Sequence, residues 1–384
     1  MRADAEFDIV VYGATGFTGR LVAEHLAQRY GVGGEVKWAM AGRSAEKLAA
    51  VRDEIGAPKE TPLIVADAAD PASVKAMVER AKAVLTTVGP YQLYGSALVA
   101  ACAEAGTDYL DLAGETNWMH DMIAAHDATA KKTGARILHS CGFDSIPFEL
   151  GVWFVQQAAK EKLGGPALRV KGRVRNMRGG LSGGTAASGR ATMEAAQRDP
   201  RVLQVLMNPF ALTPGFTGPE QPRGDQKQFD PDVGAEVGPF IMANINTRNV
   251  HRSNLLQGHA YGTDFVYDEM SIVNPNAPTE FTALGGPGGP QPGEGPSKAE
   301  RDAGFYDILF VAIAADGRQV RAAVKGDKDP GYGSTSKMIA ETAICLVKEA
   351  TDVPGGVWTP GAALQGKLVD RLQKNAGLTF EVEG

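Results

Sequence analysis

Hydrophobic and polar positions along residues 7–139 alternate between two repeats, one typical of strands and one typical of helices. A run of β-branched and aromatic residues at 7–12 predicts a strand, and Leu21, Val22 and Leu26 share one face of a predicted helix over 17–30. Because strands that alternate with helices form a parallel sheet covered on both faces, this region predicts a doubly wound Rossmann domain. The further predicted elements are strands at 36–40, 62–66, 83–88, 109–112 and 136–139, and helices from 44, at 71–79, at 96–105 and at 117–133.

The pattern changes beyond residue 147, which predicts a second, inserted domain. A helical repeat over 148–162 is followed by longer alternating runs with fewer helices between them, as in an α+β domain with a mixed or antiparallel sheet. The Gly- and Pro-rich stretch 284–296 predicts a surface loop, and the apolar repeat from 334 predicts a long helix. The predicted strands cover 168–177, 237–245, 261–273 and 305–314, and the expected organisation is a Rossmann domain at 1–147, a substrate or dimerisation domain at 148–330 and a segment at 331–384 that packs back on the first domain.

Composition narrows the class of protein. A length of 384 residues fits two domains, since one hydrophobic core rarely serves so long a chain. A net charge of −6 disfavours a nucleic-acid partner, which would need a basic face. Three widely spaced cysteines without a metal-binding spacing indicate a reducing compartment. The first residues do not read as a signal peptide, and no apolar run reaches the roughly 20 residues that span a bilayer, so the cytoplasm is the expected location.

A glycine motif joins the first predicted strand to the first predicted helix. It reads Gly13-Ala14-Thr15-Gly16-Phe17-Thr18-Gly19. Gly13 would permit a tight turn, Gly16 would let the backbone approach a pyrophosphate, and Gly19 would let the helix lie close to the sheet. The alternative is an ordinary glycine-rich turn, but the strand–turn–helix context favours a dinucleotide bound at the helix N-terminus.

The end of the second predicted strand distinguishes the two nicotinamide cofactors. An NAD enzyme usually carries an Asp or Glu there, whereas this chain reads Met40-Ala41-Gly42-Arg43-Ser44. Arg43 can pair with the 2′-phosphate of NADP and Ser44 can donate to it, so NADP(H) is the predicted cofactor. The alternative is a surface arginine near a helix N-terminus, an end that disfavours cations.

Two further segments follow predicted strands at the edge where such sheets bind ligands. Asp67 can accept a hydrogen bond from the adenine amino group, or it can cap a helix. The segment Thr87-Val88-Gly89-Pro90 would form a stiff wall beside the ribose and nicotinamide, or a plain turn.

Three residues are candidates for proton transfer. Tyr91 and Tyr94 follow Pro90, where either hydroxyl could supply the proton that accompanies hydride transfer, or both rings could simply line the pocket. Asp144 ends a segment between the domains and could be an acid, a base or an orienting group, or the cap of the next helix. Ser182-Gly183-Gly184-Thr185 could bind an anion or cap a helix.

These segments together resemble the saccharopine dehydrogenase-like oxidoreductases, and in particular the trans-acting enoyl reductases. The resemblance spans nearly the whole chain and implies a Rossmann domain closed by the C-terminal segment, an inserted α/β domain, and a homodimer. The carrying residues are the glycine motif, Ala41-Gly42-Arg43, Val88-Gly89-Pro90-Tyr91, Tyr109 to Glu115, Cys141 to Pro147, Ser182 to Thr185, Asp329-Pro330-Gly331-Tyr332-Gly333 and Gly356 to Pro360.

The resemblance also implies the activity. The enoyl reductases of this group reduce a carbon–carbon double bond on lipid chains carried by a polyketide synthase, which predicts a small-molecule or carrier-bound acyl substrate and a role in lipid metabolism. Saccharopine-type carbon–nitrogen chemistry on an amino acid and non-catalytic NADP binding stay as alternatives. Peripheral association with a membrane stays open, although no polybasic amphipathic helix stands out.

Overall fold

The computed structural model describes residues 5–143, 145–180, 182–273 and 293–384. Within these ranges the strands form two sheets of seven strands each. The elements, in chain order, are β1 (Phe7–Tyr12), α1 (Phe17–Tyr30), β2 (Trp38–Gly42), α2 (Ala45–Glu54), β3 (Leu63–Val65), α3 (Pro71–Val78), β4 (Ala81–Thr86), α4 (Tyr91–Tyr94), α5 (Ser96–Ala105), β5 (Asp108–Leu110), α6 (Thr116–Thr133), β6 (Arg136–Leu138), α7 (Ile146–Leu163), β7 (Arg169–Arg178), α8 (Gly183–Arg198), α9 (Pro200–Met207), β8 (Gln228–Asp230), β9 (Ala235–Pro239), α10 (Ala243–Leu256), β10 (Val266–Ile272), α11 (Lys298–Ala303), β11 (Phe305–Ile313), β12 (Gln319–Gly326), α12 (Thr335–Ile344), β13 (Gly356–Trp358), α13 (Pro360–Asn375) and β14 (Leu378–Glu383).

The first sheet has the order β13-β6-β5-β4-β1-β2-β3 and its strand pairs are all parallel. The second sheet has the order β14-β12-β11-β7-β10-β9-β8 and is mixed, because β10 pairs with β7 in parallel while the other neighbours are antiparallel. A Rossmann domain with a second α+β unit is therefore confirmed as the fold class.

A layer of helices lies between the two sheets. Helix α7 packs on β11 and β12 of the second sheet, and α12 packs against α1 and β4 of the first. Ala340 and Ala343 of α12 and Phe148 of α7 share one hydrophobic core with Phe310. Nearly every residue of α12 is buried, as expected for a helix covered on all sides.

The C-terminal region contributes a strand to each sheet. Strand β13 pairs with β6 in register Trp358↔Leu138, and β14 pairs with β12 in register Leu378↔Gly326. Helix α13 packs on α7. The three-part division of the chain, at residues 147 and 330, stays a prediction.

Two of the expected strands are shorter than the sequence pattern indicates. The strand expected at 237–245 ends at Pro239, and α10 begins at Ala243. The strand expected at 261–273 is confined to Val266–Ile272. Helix α10 was missed because its buried side chains are largely polar, so the apolar repeat that reveals a helix is absent. The expected loop at 284–296 lies largely outside the described residues.

The polar side chains of α10 approach two buried carboxyl groups. Asn246 donates to Glu269 Oε2 at 2.8 Å, and Ser253 donates to Glu149 Oε2 at 2.7 Å. Burial raises the pKa of Glu269 well above its usual value, against the opposing effect of hydrogen bonds from Asn246 and Tyr267, and burial also raises the pKa of Glu149.

The raised pKa of Glu269 gives stability a defined pH dependence. Above about pH 4.3, where the unfolded carboxyl group loses its proton, the folded chain keeps it, so the folded state binds more protons and the free energy of unfolding falls as pH rises. We expect Glu269→Gln to remove this trend, and therefore to gain stability relative to wild type between pH 5 and pH 8. Urea unfolding at several pH values measures this difference, and parallel curves for the two proteins would show that Glu269 is ionised in the folded state.

Candidate functional site

The glycine motif lies at the carboxyl edge of the first sheet, in the turn from β1 to α1. Gly13 has a φ of +91°, and a Cβ there would lie 2.8 Å from Val88 Cγ2. A Cβ on Gly19 would lie 2.1 Å from the Gly13 carbonyl oxygen, so the first turn of α1 rests directly on the loop. The amides of Gly13 and Ala14 donate to the Ala41 carbonyl at 3.0 and 3.1 Å, which fixes the turn against β2.

The N-terminus of α1 is open to a ligand. Gly16 is the N-cap residue, is exposed and supplies no side-chain cap, so within the described residues the first turn of α1 has no side-chain acceptor. Thr15 and Thr18 flank it and are half-buried. This arrangement fits a pyrophosphate, because unsatisfied amides and the helix dipole attract an anion where no Cβ blocks its approach.

The ends of β2 and β3 bring the next candidates to the same edge. Arg43 is exposed directly after β2, and the Ser44 hydroxyl accepts from the Lys47 amide at 3.2 Å, so Ser44 caps α2. Asp67 follows β3 and accepts from the Ala69 amide at 3.0 Å.

The hydroxyl of Tyr12, at the end of β1, is influenced by the charges of both Asp67 and Arg43. Burial raises the pKa of its hydroxyl, the Asp67 carboxylate raises it further, and the Arg43 guanidinium lowers it. Arg43 and Asp67 thus have opposite effects on the pKa of Tyr12, which stands at the end of β1 next to the glycine loop.

The segment after β4 forms the other wall of this edge. The Thr87 amide donates to the Tyr12 carbonyl at 3.0 Å, and the Val88 amide donates to Thr86 Oγ1 at 3.2 Å. The Gly89–Pro90 peptide bond is cis. The fourteen residues predicted to hold the cofactor, Gly13 to Gly19, Arg43, Ser44, Asp67 and Thr87 to Pro90, thus lie at the carboxyl ends of four neighbouring strands.

The two candidate tyrosines lie in different surroundings. Tyr91 is buried, and its hydroxyl donates to the Thr86 carbonyl at 3.2 Å and accepts from the Leu112 amide at 3.1 Å. Its ring stacks on Trp118 at 5.6 Å. This hydroxyl thus bridges the last residue of β4 and the backbone just beyond β5, whereas the side chain of Tyr94 is 52% exposed. Asp144 lies outside the described residues, and Ser145 stands at the N-cap position of α7.

Glu115 is a residue of this edge whose role the sequence pattern did not reveal. Its buried carboxylate accepts from the amides of Tyr91 and Gln92 at 2.9 and 2.7 Å, and thus caps α4. Burial raises the pKa of Glu115, and hydrogen bonds from those amides and from Ser188 of α8 oppose the rise.

Helix α8 of the second domain covers this edge. Gln92 Nε2 donates to Thr192 Oγ1 at 3.3 Å, and a Cβ on Gly89 would lie 3.7 Å from Ser188 Oγ. Both contacts join residues far apart in sequence, so local pattern gave no signal for them. Ser182 caps α8 by accepting from the Thr185 amide at 3.4 Å.

Three further observations concern metal binding, membrane-spanning helices and the cysteines. In the ranges that the structure describes, no group of His, Cys, Asp and Glu side chains is arranged to hold a metal ion. The described helices are all too short or too polar to cross a membrane. Cys102, Cys141 and Cys345 are buried free thiols.

Comparison with known proteins places this geometry in a family. Residues 9–138 match the family described as saccharopine dehydrogenase NADP binding domain. The chain is 40% identical to a putative trans-acting enoyl reductase of Mycobacterium tuberculosis, over 98% of this chain and 97% of that protein. It is 37% identical to a trans-acting enoyl reductase of Mycobacterium ulcerans, over 96% of each.

A solved structure supports the same fold. The apo saccharopine dehydrogenase (L-Glu forming) of Saccharomyces cerevisiae superposes with a TM-score of 0.57 at 11% identity, over 98% of this chain and 100% of that one. Together with the glycine loop, the family match confirms NADP(H) as the cofactor. The chain therefore belongs to the trans-acting enoyl reductases of the saccharopine dehydrogenase-like family, and it is an NADP(H)-dependent oxidoreductase.

Proposed function

We propose that this protein uses NADPH to reduce the carbon–carbon double bond of an α,β-unsaturated acyl thioester held on a carrier. The observation that carries the proposal is the uncapped N-terminus of α1 at an edge that a helix of the second domain covers. The full-length similarity to enzymes named trans-acting enoyl reductases supports the choice of substrate.

In this proposal each part of the edge binds one part of the cofactor. The amides of residues 17–19 bind the pyrophosphate, Arg43 and Ser44 bind the 2′-phosphate, and Asp67 accepts from the adenine amino group. Residues 87–90 form the wall beside the ribose and nicotinamide. The bound cofactor supplies the hydride, and the protein must orient the acyl group and deliver one proton.

For the proton donor we propose Tyr94. The hydroxyl of Tyr91 already bridges two backbone groups, whereas the Tyr94 side chain is exposed one turn later in α4. Tyr91 then holds β4 and β5 in place, and Asp144 remains a second candidate for the donor or an orienting group.

The test follows NADPH consumption with 2-enoyl thioesters of pantetheine. We expect turnover with wild type, and a fall in kcat of about 10²–10⁴-fold in Tyr94→Phe with little change in NADPH affinity, because a general acid acts only in the chemical step. Tyr91→Phe is the matched control and should lower the melting temperature more than Tyr94→Phe does. Unchanged kcat in Tyr94→Phe would eliminate Tyr94 as the donor.

The alternative carbon–nitrogen chemistry has a different requirement. A substrate with several carboxylates needs cations that are free to bind it, yet two arginines of β7 already have carboxylate partners. Arg173 pairs with Asp230 and Asp268, and Arg175 pairs with Asp307 and Glu383. We therefore expect no turnover with saccharopine or with glutamate plus an aldehyde. Binding of NADPH without turnover of any of these compounds would favour the non-catalytic alternative.

The proposal extends to assembly and location. We propose a homodimer, as the family resemblance implies, located in the cytoplasm, and light scattering of the purified protein tests the stoichiometry. Co-sedimentation with lipid vesicles tests whether the protein also associates peripherally with membranes.

A further inference from the structure

One motif, Asp329 to Gly333, has no part in the proposed function so far. Residues Pro330–Ser334 form a π-helical turn directly before α12, with Asp329 as its N-cap. The buried Asp329 carboxylate holds it, accepting from the Tyr332 amide at 3.0 Å and from the Gly333 amide at 3.0 Å. A buried carboxylate with several backbone donors fixes a turn rigidly, so the position of Tyr332 is well defined.

Tyr332 contacts two separate parts of the site. Its ring meets the ring of Phe17 edge-on, with 5.2 Å between centroids. Its hydroxyl accepts from the Ser182 amide at 2.5 Å and hydrogen-bonds Thr185 Oγ1 at 2.8 Å. Phe17 is the first residue of α1 and Ser182 is the N-cap of α8, so one side chain joins the glycine loop to the covering helix.

The ring of Phe17 is enclosed by further residues besides Tyr332. The Arg301 guanidinium lies 5.6 Å from the centre of its ring, and a Cβ on Gly295 would lie 2.5 Å from the ring edge. The Phe17 ring therefore packs against the second domain from several sides, while its backbone amide belongs to the first turn of α1, where the pyrophosphate binds.

The same turn also reaches the segment that follows β6. Thr335 Oγ1 donates to the Pro330 carbonyl at 2.8 Å and accepts from the Phe143 amide at 3.2 Å. The turn thus contacts the glycine loop, the helix over the reacting edge, and the segment between the domains.

We propose that Tyr332 is a positioning residue that couples the cofactor loop to α8. Binding of the pyrophosphate fixes Phe17, and Phe17 fixes the ring of Tyr332. The Tyr332 hydroxyl then fixes the N-terminus of α8, and so the position of Ser188 beside Gly89 and Glu115. Cofactor binding thereby completes the cover of the acyl site before the acyl group enters. This inference rests on the proposed function only for what α8 covers, and not for the coupling itself.

Hydrogen–deuterium exchange of the full chain, with and without NADPH, tests the coupling without any acyl substrate. In wild type we expect NADPH to slow exchange both in the glycine loop, residues 13–19, and in α8, residues 183–192. Tyr332→Phe keeps the ring against Phe17 but removes the hydroxyl. It should retain the protection of the loop and lose that of α8, while the Kd for NADPH changes by no more than about twofold.

Two further variants test whether the loss of protection in α8 is specific to the hydroxyl of Tyr332. Tyr306→Phe is the matched control, because it removes another buried hydroxyl, which hydrogen-bonds Ser334 Oγ of the same turn at 2.9 Å rather than a residue of α8. It should keep both protections. Thr185→Val removes a second partner of the Tyr332 hydroxyl from an exposed position and should weaken the protection of α8.

Turnover separates this inference from the proposed function. With enoyl thioesters, Tyr332→Phe should lower kcat about tenfold at an unchanged KM for NADPH. If wild type shows the coupled protection but reduces no enoyl thioester, the proposed substrate fails and the coupling stands. Protection of α8 that persists in Tyr332→Phe, that disappears equally in Tyr306→Phe, or that is absent in wild type would overturn the coupling.

Discussion

Arg43→Ala should weaken NADPH binding by about 10–100-fold while leaving NADH binding within about twofold of wild type. Arg43 is an exposed arginine directly after β2, and the neighbouring Ser44 already caps α2. A guanidinium that pairs with a phosphate contributes about 1.5–3 kcal/mol, and only NADPH carries that phosphate. Titration of each nucleotide, followed by nicotinamide fluorescence, measures both affinities.

The control for this prediction is Arg52→Ala, at the other end of α2. Arg52 pairs with Asp53 and donates to the Lys59 carbonyl, so it has structural partners of its own. Arg52→Ala should leave the ratio of the NADPH and NADH affinities unchanged. If Arg43→Ala weakens NADPH and NADH equally, or neither, then Arg43 does not bind the 2′-phosphate.

The second large effect is expected at Gly19, where alanine should destabilise the protein even without cofactor. The added Cβ would lie 2.1 Å from the Gly13 oxygen and 2.7 Å from the Gly13 carbonyl carbon, so backbone must move against backbone. Such overpacking costs at least about 1–3 kcal/mol. We expect a lower melting temperature of the apo protein and no measurable binding of NADPH.

Gly16→Ala tests the contact with the cofactor separately from the packing of α1 on the glycine loop. The nearest atom to a Cβ there is the Gly13 oxygen at 3.3 Å, and the residue is exposed. The apo protein should therefore melt close to wild type, while NADPH binding falls because the pyrophosphate approaches at this residue. Wild-type melting of Gly19→Ala would mean that α1 and the loop can separate without loss of stability.

What the sequence could predict depends on how local each interaction is. The glycine motif, its strand and its helix lie within one continuous stretch, and their geometry follows from steric rules that act over a few residues. The alternation of strands and helices likewise predicted the Rossmann sheet. In both cases the residues that decide the structure are neighbours in the chain.

The interactions that pattern could not predict join distant residues. Tyr332 lies 150 residues from Ser182, and Glu115 caps a helix that begins 24 residues earlier. Helix α10 was hidden because its buried side chains, such as Asn246 and Ser253, obtain their partners from other elements. On the buried face of α10, hydrogen bonds to other elements take the place of the apolar side chains that a sequence pattern would reveal. Only the folded structure shows which partners are present.

The strands near the C-terminus have a consequence for biosynthesis. Strand β6 is complete at Leu138, but its neighbour β13 is synthesised only after strands β7 to β12 of the second sheet. Strand β12 is likewise synthesised before its neighbour β14. A nascent chain therefore exposes an unpaired strand edge on each half-built sheet, and such edges invite pairing with other chains. Protection of the emerging first domain by a chaperone is thus an expected part of how this protein is made.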